Sequence, residues 1–406
     1  MNVRGCMQLT DKIKNKKIWF FIPILITLFL FISLLFIMYF KYYDLMSSLD
    51  QEKNNTLKAV SEQISSDLAE KANKGESRAE FFASIPSIAQ AFKNKDSKWL
   101  LDQLLPMFLE QKKLYNVIEF HFHTPPATQF LGFNDPKTPQ EDVSDIRQII
   151  VNVNKLKSSQ KGIELGRTGV GIIGVVPVFC EDEHIGSLEV AFSFQAILEK
   201  SKKATEADIS IFVDAKRFND ICTEYASTDQ NEKNLTGKQI QFSNTFGKFR
   251  FLESTDKEGM LSLVKSDHLA KAAQFYTVFK TLNSKEYGMS LEPLFDFSGA
   301  KIGVIVIIKN FDAMTAKYYS QFYKEILIKL ILLVLVFIFS VYAYNRFLMF
   351  PLTEVNIACK NLLSGKTDAF DHLVNQENEI GELASSLKEL SKKKPFYIFS
   401  KFDLKD

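Results

Sequence analysis

The twelve residues Ile185-Gly-Ser-Leu-Glu-Val-Ala-Phe-Ser-Phe-Gln-Ala196 recur in register as Ile302-Gly-Val-Ile-Val-Ile-Ile-Lys-Asn-Phe-Asp-Ala313. Isoleucine, glycine, phenylalanine and alanine occupy the same places in both copies, 117 residues apart. Each copy is typical of a hairpin glycine, a β-strand and a turn that opens a helix. The repeat predicts two similar sheet domains in tandem, the first closing near Leu198 and the second running from about Asp208 to Asp312.

The segments upstream of the first copy mix strands with one helix. Glu119-Phe-His-Phe-His123 alternates strictly, Gly171 to Phe179 is an apolar strand-like run, and a charged hairpin from Glu181 to His184 follows it. A helix is predicted over Asp145 to Lys155. This mixture indicates an α+β unit and not an alternating parallel α/β domain.

Two apolar runs bracket this region. Ile18 to Phe40 is 23 residues without a charge, long enough to cross the roughly 30 Å core of a bilayer. It is too long for the apolar part of a signal peptide, which is the competing interpretation. In the second run, Ile326 to Phe350, Lys329 can lift its ammonium group to the membrane interface, so we expect this run to span as well.

Basic residues before the first run predict the orientation. An excess of them places the amino terminus in the cytoplasm, residues 43–325 outside, and everything after Arg346 back in the cytoplasm. They are Arg4, Lys12, Lys14, Lys16 and Lys17, against a single Asp11. The net charge of +2 indicates no nucleic-acid partner. Cys180 and Cys222 are expected outside the cytoplasm. There they either form a disulfide with each other or remain two buried free thiols, and the sequence leaves both alternatives open.

An amphipathic stripe follows the first apolar run. Leu57, Val60, Ile64 and Leu68 recur at intervals of three and four residues, which predicts one apolar face on a helix that continues outward from the membrane. Two interpretations fit this face equally. The helix packs either on its own domain or against the same helix of a second chain.

Four stretches together resemble the double Cache sensor domain of bacterial transmembrane receptors, over about residues 45–315. They are Phe120-His-Phe-His-Thr-Pro-Pro-Ala127, Asp142-Val-Ser-Asp-Ile-Arg147, Gly162-Ile-Glu-Leu-Gly-Arg167 and Gly171-Ile-Ile-Gly-Val-Val-Pro-Val178. The resemblance implies two PAS-like sheets along a long amino-terminal helix, with ligand usually held in the membrane-distal module. The arginine and tryptophan signature of amino-acid-binding members is not seen around Trp99.

Beyond the second apolar run, Pro351-Leu-Thr-Glu354, Gly365 and Glu377-Asn-Glu-Ile-Gly-Glu-Leu383 resemble a HAMP linker. A HAMP linker implies a parallel four-helix bundle in a homodimer. Two apolar seams with heptad steps support this independently of the family. They are Leu352, Val355, Cys359 and Leu362, then Ile380, Leu383, Leu387 and Leu390.

The predicted organisation follows from these patterns. It comprises a cytoplasmic amino terminus (1–17), a transmembrane helix (18–42), a long extracytoplasmic helix (43–90), a membrane-distal Cache module (91–198), a membrane-proximal one (199–315), a second transmembrane helix (326–350), a HAMP linker (351–394) and a tail (395–406).

The candidate ligand-binding residues lie in the distal module. His121 and His123 share one strand face with Glu119 and are expected to line a pocket; no third nitrogen or sulfur ligand is seen, so no metal site is predicted. Arg147 is the candidate residue for binding an anionic ligand, because a guanidinium can donate two parallel hydrogen bonds to one carboxylate. A structural ion pair with Asp142 or Asp145 is the alternative.

Two further residues and one discarded motif complete the predicted site. Arg167 and Glu164 are candidates of the same kind as Arg147. The run Gly169 to Gly174 matches a dinucleotide fingerprint in letters, but strand follows it where a helix should open, so its glycines are expected to serve turns and close strand packing.

The resemblances imply a chemoreceptor-type transmembrane sensor in the bacterial inner membrane, with both termini cytoplasmic and the sensor periplasmic or extracellular. It is expected to bind a small ligand, to form a homodimer through its HAMP and membrane helices, and to act on a cytoplasmic partner. Only Phe396 to Asp406 follow the bundle, so no output domain is expected. One alternative is the input half of a histidine kinase or a diguanylate cyclase. Another is a receptor-like protein that transmits no signal. No catalytic residue or cofactor is predicted.

Overall fold

A computed structural model describes residues 21–136, 140–167, 169–222, 245–256, 259–363, 371, 373–375 and 379–393 of the 406-residue chain. The predicted cytoplasmic segment 1–17 and the tail 395–406 lie outside the described residues. Contacts divide the chain into two units. One is Ser48–Ala316, and the other combines Met1–Ser47 with Lys317–Asp406.

Three helices precede the first strand: α1 (Phe21–Ala83), α2 (Pro86–Lys93) and α3 (Ser97–Tyr115). The first ends at Ala83 and not at the predicted residue 90, since the residue before Pro86 is pushed out of helical geometry; Ile85 is extended. The third begins at an N-cap, where Asp96 accepts a hydrogen bond of 3.0 Å from the backbone N–H of Trp99.

The stripe on α1 faces the interior of its own chain. Leu57, Val60, Ile64 and Leu68 are at most 7% exposed and belong to the main hydrophobic core. Burying four such side chains contributes roughly 1.5–3 kcal/mol each. A dimer seam through these four residues, one of the two interpretations above, is therefore wrong.

The sheet of the first module, which the sequence predicts to be membrane-distal and which we call the distal sheet, is antiparallel and has the order β2-β1-β5-β4-β3. Its elements in chain order are β1 (Val117–Thr124), β2 (Thr128–Gly132), α4 (Gln148–Leu156), β3 (Gln160–Gly166), β4 (Gly169–Cys180), β5 (Glu183–Phe192) and α5 (Gln195–Thr205). Glu181 and Asp182 both have positive φ in the hairpin between β4 and β5, as a tight two-residue turn requires.

The membrane-proximal sheet is also antiparallel and has the order β7-β8-β6-β11-β10-β9. Its elements are β6 (Asp208–Asp214), α6 (Ala215–Ile221), β7 (Thr245–Phe246), β8 (Phe249–Ser254), a 3-10 turn (Met260–Leu263), α7 (Ser266–Lys271), β9 (Tyr276–Leu282), β10 (Lys285–Phe295) and β11 (Lys301–Asn310).

The two copies of the sequence repeat occupy equivalent places in the two sheets. β5 lies between β1 and β4, and β11 lies between β6 and β10. A Cβ on Gly186 would meet the carbonyl oxygen of His123 at 2.2 Å, and one on Gly303 would meet that of Phe212 at 2.2 Å. Both glycines let the neighbouring strand approach closely, and the prediction of two tandem PAS-like sheets is confirmed.

The two described cysteines of the unit Ser48–Ala316 are free thiols. Cys180 donates to Oε1 of Gln90 at 3.4 Å, and Cys222 donates to the carbonyl oxygen of Gly166 at 3.1 Å. Burial raises the pKa of Cys222 to about 12. The disulfide alternative is therefore wrong, and Cys222 is an unreactive buried thiol.

The other unit is helical. The helix α8 (Asp312–Tyr344) passes through a π-helical turn (Asn345–Met349) into α9 (Phe350–Leu363), and α10 (Glu379–Lys393) follows. Two helical stretches of the chain, within Ile24–Ala83 and Asp312–Asn361, are long and apolar enough to cross a membrane.

Helices α9 and α10 share a small apolar core. Val355, Ala358, Leu373 and Ala384 are buried, with Cys359, Ile380 and Leu387 packed against them and Leu352 half-buried. Leu383 and Leu390 are 43% and 65% exposed, and the side chain of Leu362 lies outside the described residues. Each of the two seams therefore packs only part of its predicted positions within the chain, and the HAMP assignment stays a prediction.

Candidate functional site

A cavity of about 130 Å³ lies in the membrane-distal module. That volume is well above the roughly 10–15 Å³ that one water needs. Its walls include His121, His123, Arg147 and Arg167, four of the five residues that the sequence predicted to bind ligand. A second cavity, between Phe82 and Phe120, measures about 10 Å³ and holds no more than a water.

Arg147 is the centre of the polar wall. Its Nε donates to Oε2 of Glu164 at 2.8 Å, its second guanidinium nitrogen donates to Glu189, and its third lies 3.7 Å from Oε2 of Glu119. All four side chains are less than 10% exposed. Arg147 therefore makes structural ion pairs, as the alternative to ligand binding expected, but its partners are these glutamates and not Asp142 or Asp145. Asp142 accepts hydrogen bonds from Ser144.

Glu164, the fifth predicted residue, stands behind Arg147. Its Oε1 accepts a hydrogen bond of 3.0 Å from the backbone N–H of Ile149, at the start of α4. This carboxylate therefore holds both the guanidinium and the first turn of that helix, where an acidic group is favourable.

The two histidines approach the same acid from the neighbouring strand. Nε2 of His123 lies 3.1 Å from Oε2 of Glu189, and Nδ1 of His121 lies 4.0 Å from the same oxygen. His121 also pairs through Nε2 with Oδ1 of Asn134. Glu189 thus connects Arg147 to both histidines.

At the mouth of the cavity, the two terminal nitrogens of Arg167 donate hydrogen bonds to the two carboxylate oxygens of Glu141. Its side chain is 30% exposed, and that of Glu141 is 48% exposed. Such a pair contributes little to stability. The mouth is therefore free to rearrange at small cost.

Residues 48–315 match a family model, dCache_3, described as a double sensory domain of two-component sensor kinase. The match covers well over half of the chain. The chain belongs to the double Cache sensor family. Sensory domains of this family bind small ligands, which is consistent with the polar cavity in the distal module. The family is described as a sensory domain, which is an input domain and not a catalytic one.

Solved structures resemble this double Cache sensor in fold. The sensory domain of the Campylobacter jejuni chemoreceptor Tlp3 is 11% identical, with 66% of this chain and 96% of that one covered and a TM-score of 0.38. A domain of a putative sensory box/GGDEF family protein from Vibrio parahaemolyticus is 11% identical, with 64% and 96% covered and a TM-score of 0.38. The sensor domain of the V. cholerae histidine kinase DctB is 11% identical, with 62% and 95% covered and a TM-score of 0.35. No curated protein matches the sequence.

Burial and charge set the protonation of the cluster in this double Cache sensor. Burial disfavours the charge on Arg147, yet Glu189 and Glu164 outweigh that penalty and raise the pKa of Arg147. Burial raises the pKa of Glu164 to about 7, against the opposing effect of Arg147. Burial also opposes the charge on Glu189, but Arg147 and His123 outweigh it and lower the pKa of that carboxyl. Burial lowers the pKa of His123, so its imidazole is neutral at pH 7.

Glu189 was missed in the prediction from sequence, although one signal marked it. It stands in the first copy of the repeat where the second copy has Val306. Both positions are fully buried in central strands. A carboxylate at a fully buried position requires a partner, and the strand register of β1 and β5 supplies His121 directly opposite.

Proposed function

We propose that this protein is a transmembrane sensor that binds a small extracytoplasmic ligand in the distal cavity and relays occupancy through α8 to the cytoplasmic helices. The observation that carries the proposal is the polar cavity of about 130 Å³ that His121, His123, Arg147 and Arg167 line. In this proposal both termini are cytoplasmic, and a homodimer forms through the membrane helices and a HAMP bundle.

Charge within the cavity bears on the class of ligand. All three nitrogens of the Arg147 guanidinium face carboxylates, so buried acids already offset its positive charge and leave little attraction for a further anion. Three carboxyl groups around one guanidinium favour a ligand that brings positive charge. We therefore place cationic and zwitterionic compounds ahead of the anions that the arginine alone suggested.

The proposed signal relay requires two conformations of the protein that differ little in free energy. A ligand shifts such an equilibrium only by its differential affinity for the two states, typically about 1–3 kcal/mol. A displacement of α8 relative to α1 would carry this difference towards α9. The input half of a histidine kinase is the second candidate, because the matched family is described for two-component sensor kinases.

Thermal unfolding of the full-length protein in detergent tests the ligand site. In a screen of metabolites, at least one small cationic or zwitterionic compound should raise Tm, since a ligand at 100 times its Kd stabilises by about 2.7 kcal/mol. Arg167→Ala at the cavity mouth should weaken that shift. Arg217→Ala removes an arginine of similar exposure, paired with the buried Asp296 away from the cavity, and serves as the matched control. A screen without any shift, or equal shifts in both variants, would contradict the proposal.

A further inference from the structure

The strand register brings three metal-binding side chains together beside the cavity. His121 and His123 are two residues apart on β1 and therefore point to the same face. Glu189 on β5 is the backbone partner of His121 in the antiparallel pair. The candidate donor atoms of the three side chains all lie within 4.8 Å of one another, and all three side chains are buried.

We propose that His121, His123 and Glu189 bind one divalent first-row transition-metal ion, with Zn²⁺ as the reference ion, and that the ion faces the ligand cavity. Two imidazole nitrogens and one carboxylate oxygen are a donor set found in mononuclear zinc and non-haem iron sites. Such sites keep at least one coordination position for water or a ligand. The inference goes beyond the proposed sensing function and does not depend on the identity of any organic ligand.

The hydrogen bond between His121 and Asn134 supports the proposal. Oδ1 of Asn134 is an acceptor, so Nε2 of His121 is the donor and Nδ1 is the ring nitrogen on the side of Glu189. Nδ1 lies 4.0 Å from Oε2 of Glu189, too far for a hydrogen bond. The gap is wide enough for an ion that bonds both atoms at about 2.0–2.1 Å. An amide that fixes the ring through its second nitrogen is also a recurring support of metal-binding histidines.

The second histidine and the arginine complete the arrangement. Nε2 of His123 lies 3.1 Å from Oε2 of Glu189, close to the roughly 3.3 Å between donors on a tetrahedral ion with bonds of about 2.0–2.1 Å. A bound ion would take the place of the proton between these two atoms, and the imidazole would then hold its proton on Nδ1. The other carboxylate oxygen of Glu189 accepts from Arg147, which orients it.

Charge also favours a cation at this place. Glu119, Glu164 and Glu189 converge on the single guanidinium of Arg147, and all are less than 10% exposed. An excess of acidic groups in a buried cluster is costly unless further positive charge is bound.

Metal titration of the full-length protein tests the site. The protein is prepared in detergent without a histidine tag, stripped with EDTA, and titrated with Zn²⁺ by calorimetry and with Co²⁺ in the visible spectrum. We expect one ion per chain and the d–d bands of a four- or five-coordinate nitrogen and oxygen site. The His121→Gln, His123→Gln double variant should bind Zn²⁺ at least about 100-fold more weakly.

Matched variants separate a metal site from a structural network. His184→Gln and His268→Gln change histidines elsewhere in the sensor and should leave the affinity for Zn²⁺ unchanged. Asn134→Ala removes no ligand but frees the His121 ring, and should weaken Zn²⁺ binding by about tenfold. If the double variant does not fold, X-ray absorption of the wild-type Co²⁺ complex decides, since it should show two imidazoles in the first shell.

Three outcomes would overturn the proposal: no Zn²⁺ bound by the wild type, equal affinity in the double variant, or a Co²⁺ complex without imidazole ligands. The titration contains no organic ligand. Its failure therefore leaves the metabolite screen standing, and failure of that screen leaves the metal site standing.

Discussion

Nζ of Lys53 on α1 lies 2.7 Å from Oε1 of Glu286, the second residue of β10, and the lysine side chain is only 3% exposed. The other carboxylate oxygen of Glu286 accepts a hydrogen bond of 2.8 Å from Oγ1 of Thr315, in the first turn of α8. The backbone N–H of Glu286 donates to Oδ1 of Asp312 at 2.7 Å. A single glutamate therefore ties the amino-terminal helix to the start of the helix that leads away from the sensor.

Replacing the buried lysine tests this connection. Lys53→Met keeps the aliphatic stem but leaves Glu286 without its cation, so it should cost about 1–3 kcal/mol of stability. We expect a lower Tm for the full-length protein in detergent. Lys58→Met removes an exposed ion pair with Glu62 on the same helix and should change stability by less than about 0.5 kcal/mol. Equal effects of the two substitutions would show that Lys53 is not coupled to Glu286.

Arg147 inside the cavity should contribute far more to the stability of the protein than Arg167 at the mouth of the cavity. Arg147→Met leaves three buried carboxyl groups without their cation, which typically costs about 3–5 kcal/mol. At roughly 2–4 °C per kcal/mol for a domain of this size, Tm should fall by about 6 °C or more. Arg167→Met should lower the stability by about 1 kcal/mol at most. If the two variants unfold at the same temperature, the cluster does not hold the distal module together.

A half-buried acid in the proximal sheet, Glu253, predicts a dependence on pH. Burial raises the pKa of Glu253 to about 7, and the charge of Glu199 adds to the effect. Because the folded state disfavours the ionised form, the penalty is absent below about pH 4.5, grows as pH rises, and is complete above pH 7. Glu253→Gln removes the penalty, so it should stabilise the protein by about 1–3 kcal/mol at pH 8 and by much less at pH 5.

Differential scanning at the two pH values measures this effect. Glu110→Gln changes an exposed acid on α3 and should give a Tm difference that is small at both pH values. A stabilisation by Glu253→Gln that is the same at pH 5 and pH 8 would contradict the raised pKa.

Two glycines set how closely α1 approaches the distal sheet. A Cβ on Gly174 of β4 would lie 2.0 Å from the backbone nitrogen of Glu76, and one on Gly75 would lie 2.9 Å from the backbone nitrogen of Gly174. Gly174→Ala should therefore push the helix away and destabilise the distal module by about 3 kcal/mol or more. In Gly171→Ala the new Cβ meets a side-chain methyl of Ile173 at 3.3 Å, so a cost below about 1 kcal/mol is expected.

Partial proteolysis and thermal unfolding report on this packing. Gly174→Ala should expose α1 to cleavage at lower temperature than Gly171→Ala. If both variants resist protease as the wild type does, backbone contact between α1 and β4 is not required. The last glycine of the fingerprint-like run therefore serves close packing, as the failed context of that motif indicated, although the partner is a helix and not a strand.

Local patterns predicted much of the fold. The repeat placed both central strands, the alternation around His121 placed β1, and the charged run from Glu181 to His184 placed the β4–β5 hairpin. The same patterns did not distinguish the two interpretations of the stripe at Leu57 and Ile64. An apolar face looks alike whether its partner is the same chain or another, and only the packing of α1 on the sheets decided it.

The sequence by itself determined the apolar runs, the tandem sheets and four of the residues that line the distal cavity, because periodicity and turn chemistry act over a few neighbouring residues. Tertiary structure alone decided that Glu189 meets His121 and His123, that Arg147 pairs with Glu164 and not with Asp142, and that Lys53 reaches Glu286. These contacts depend on strand register and on helix packing between residues far apart in the chain. No local pattern encodes such distances, since each is set by the summed packing of whole elements.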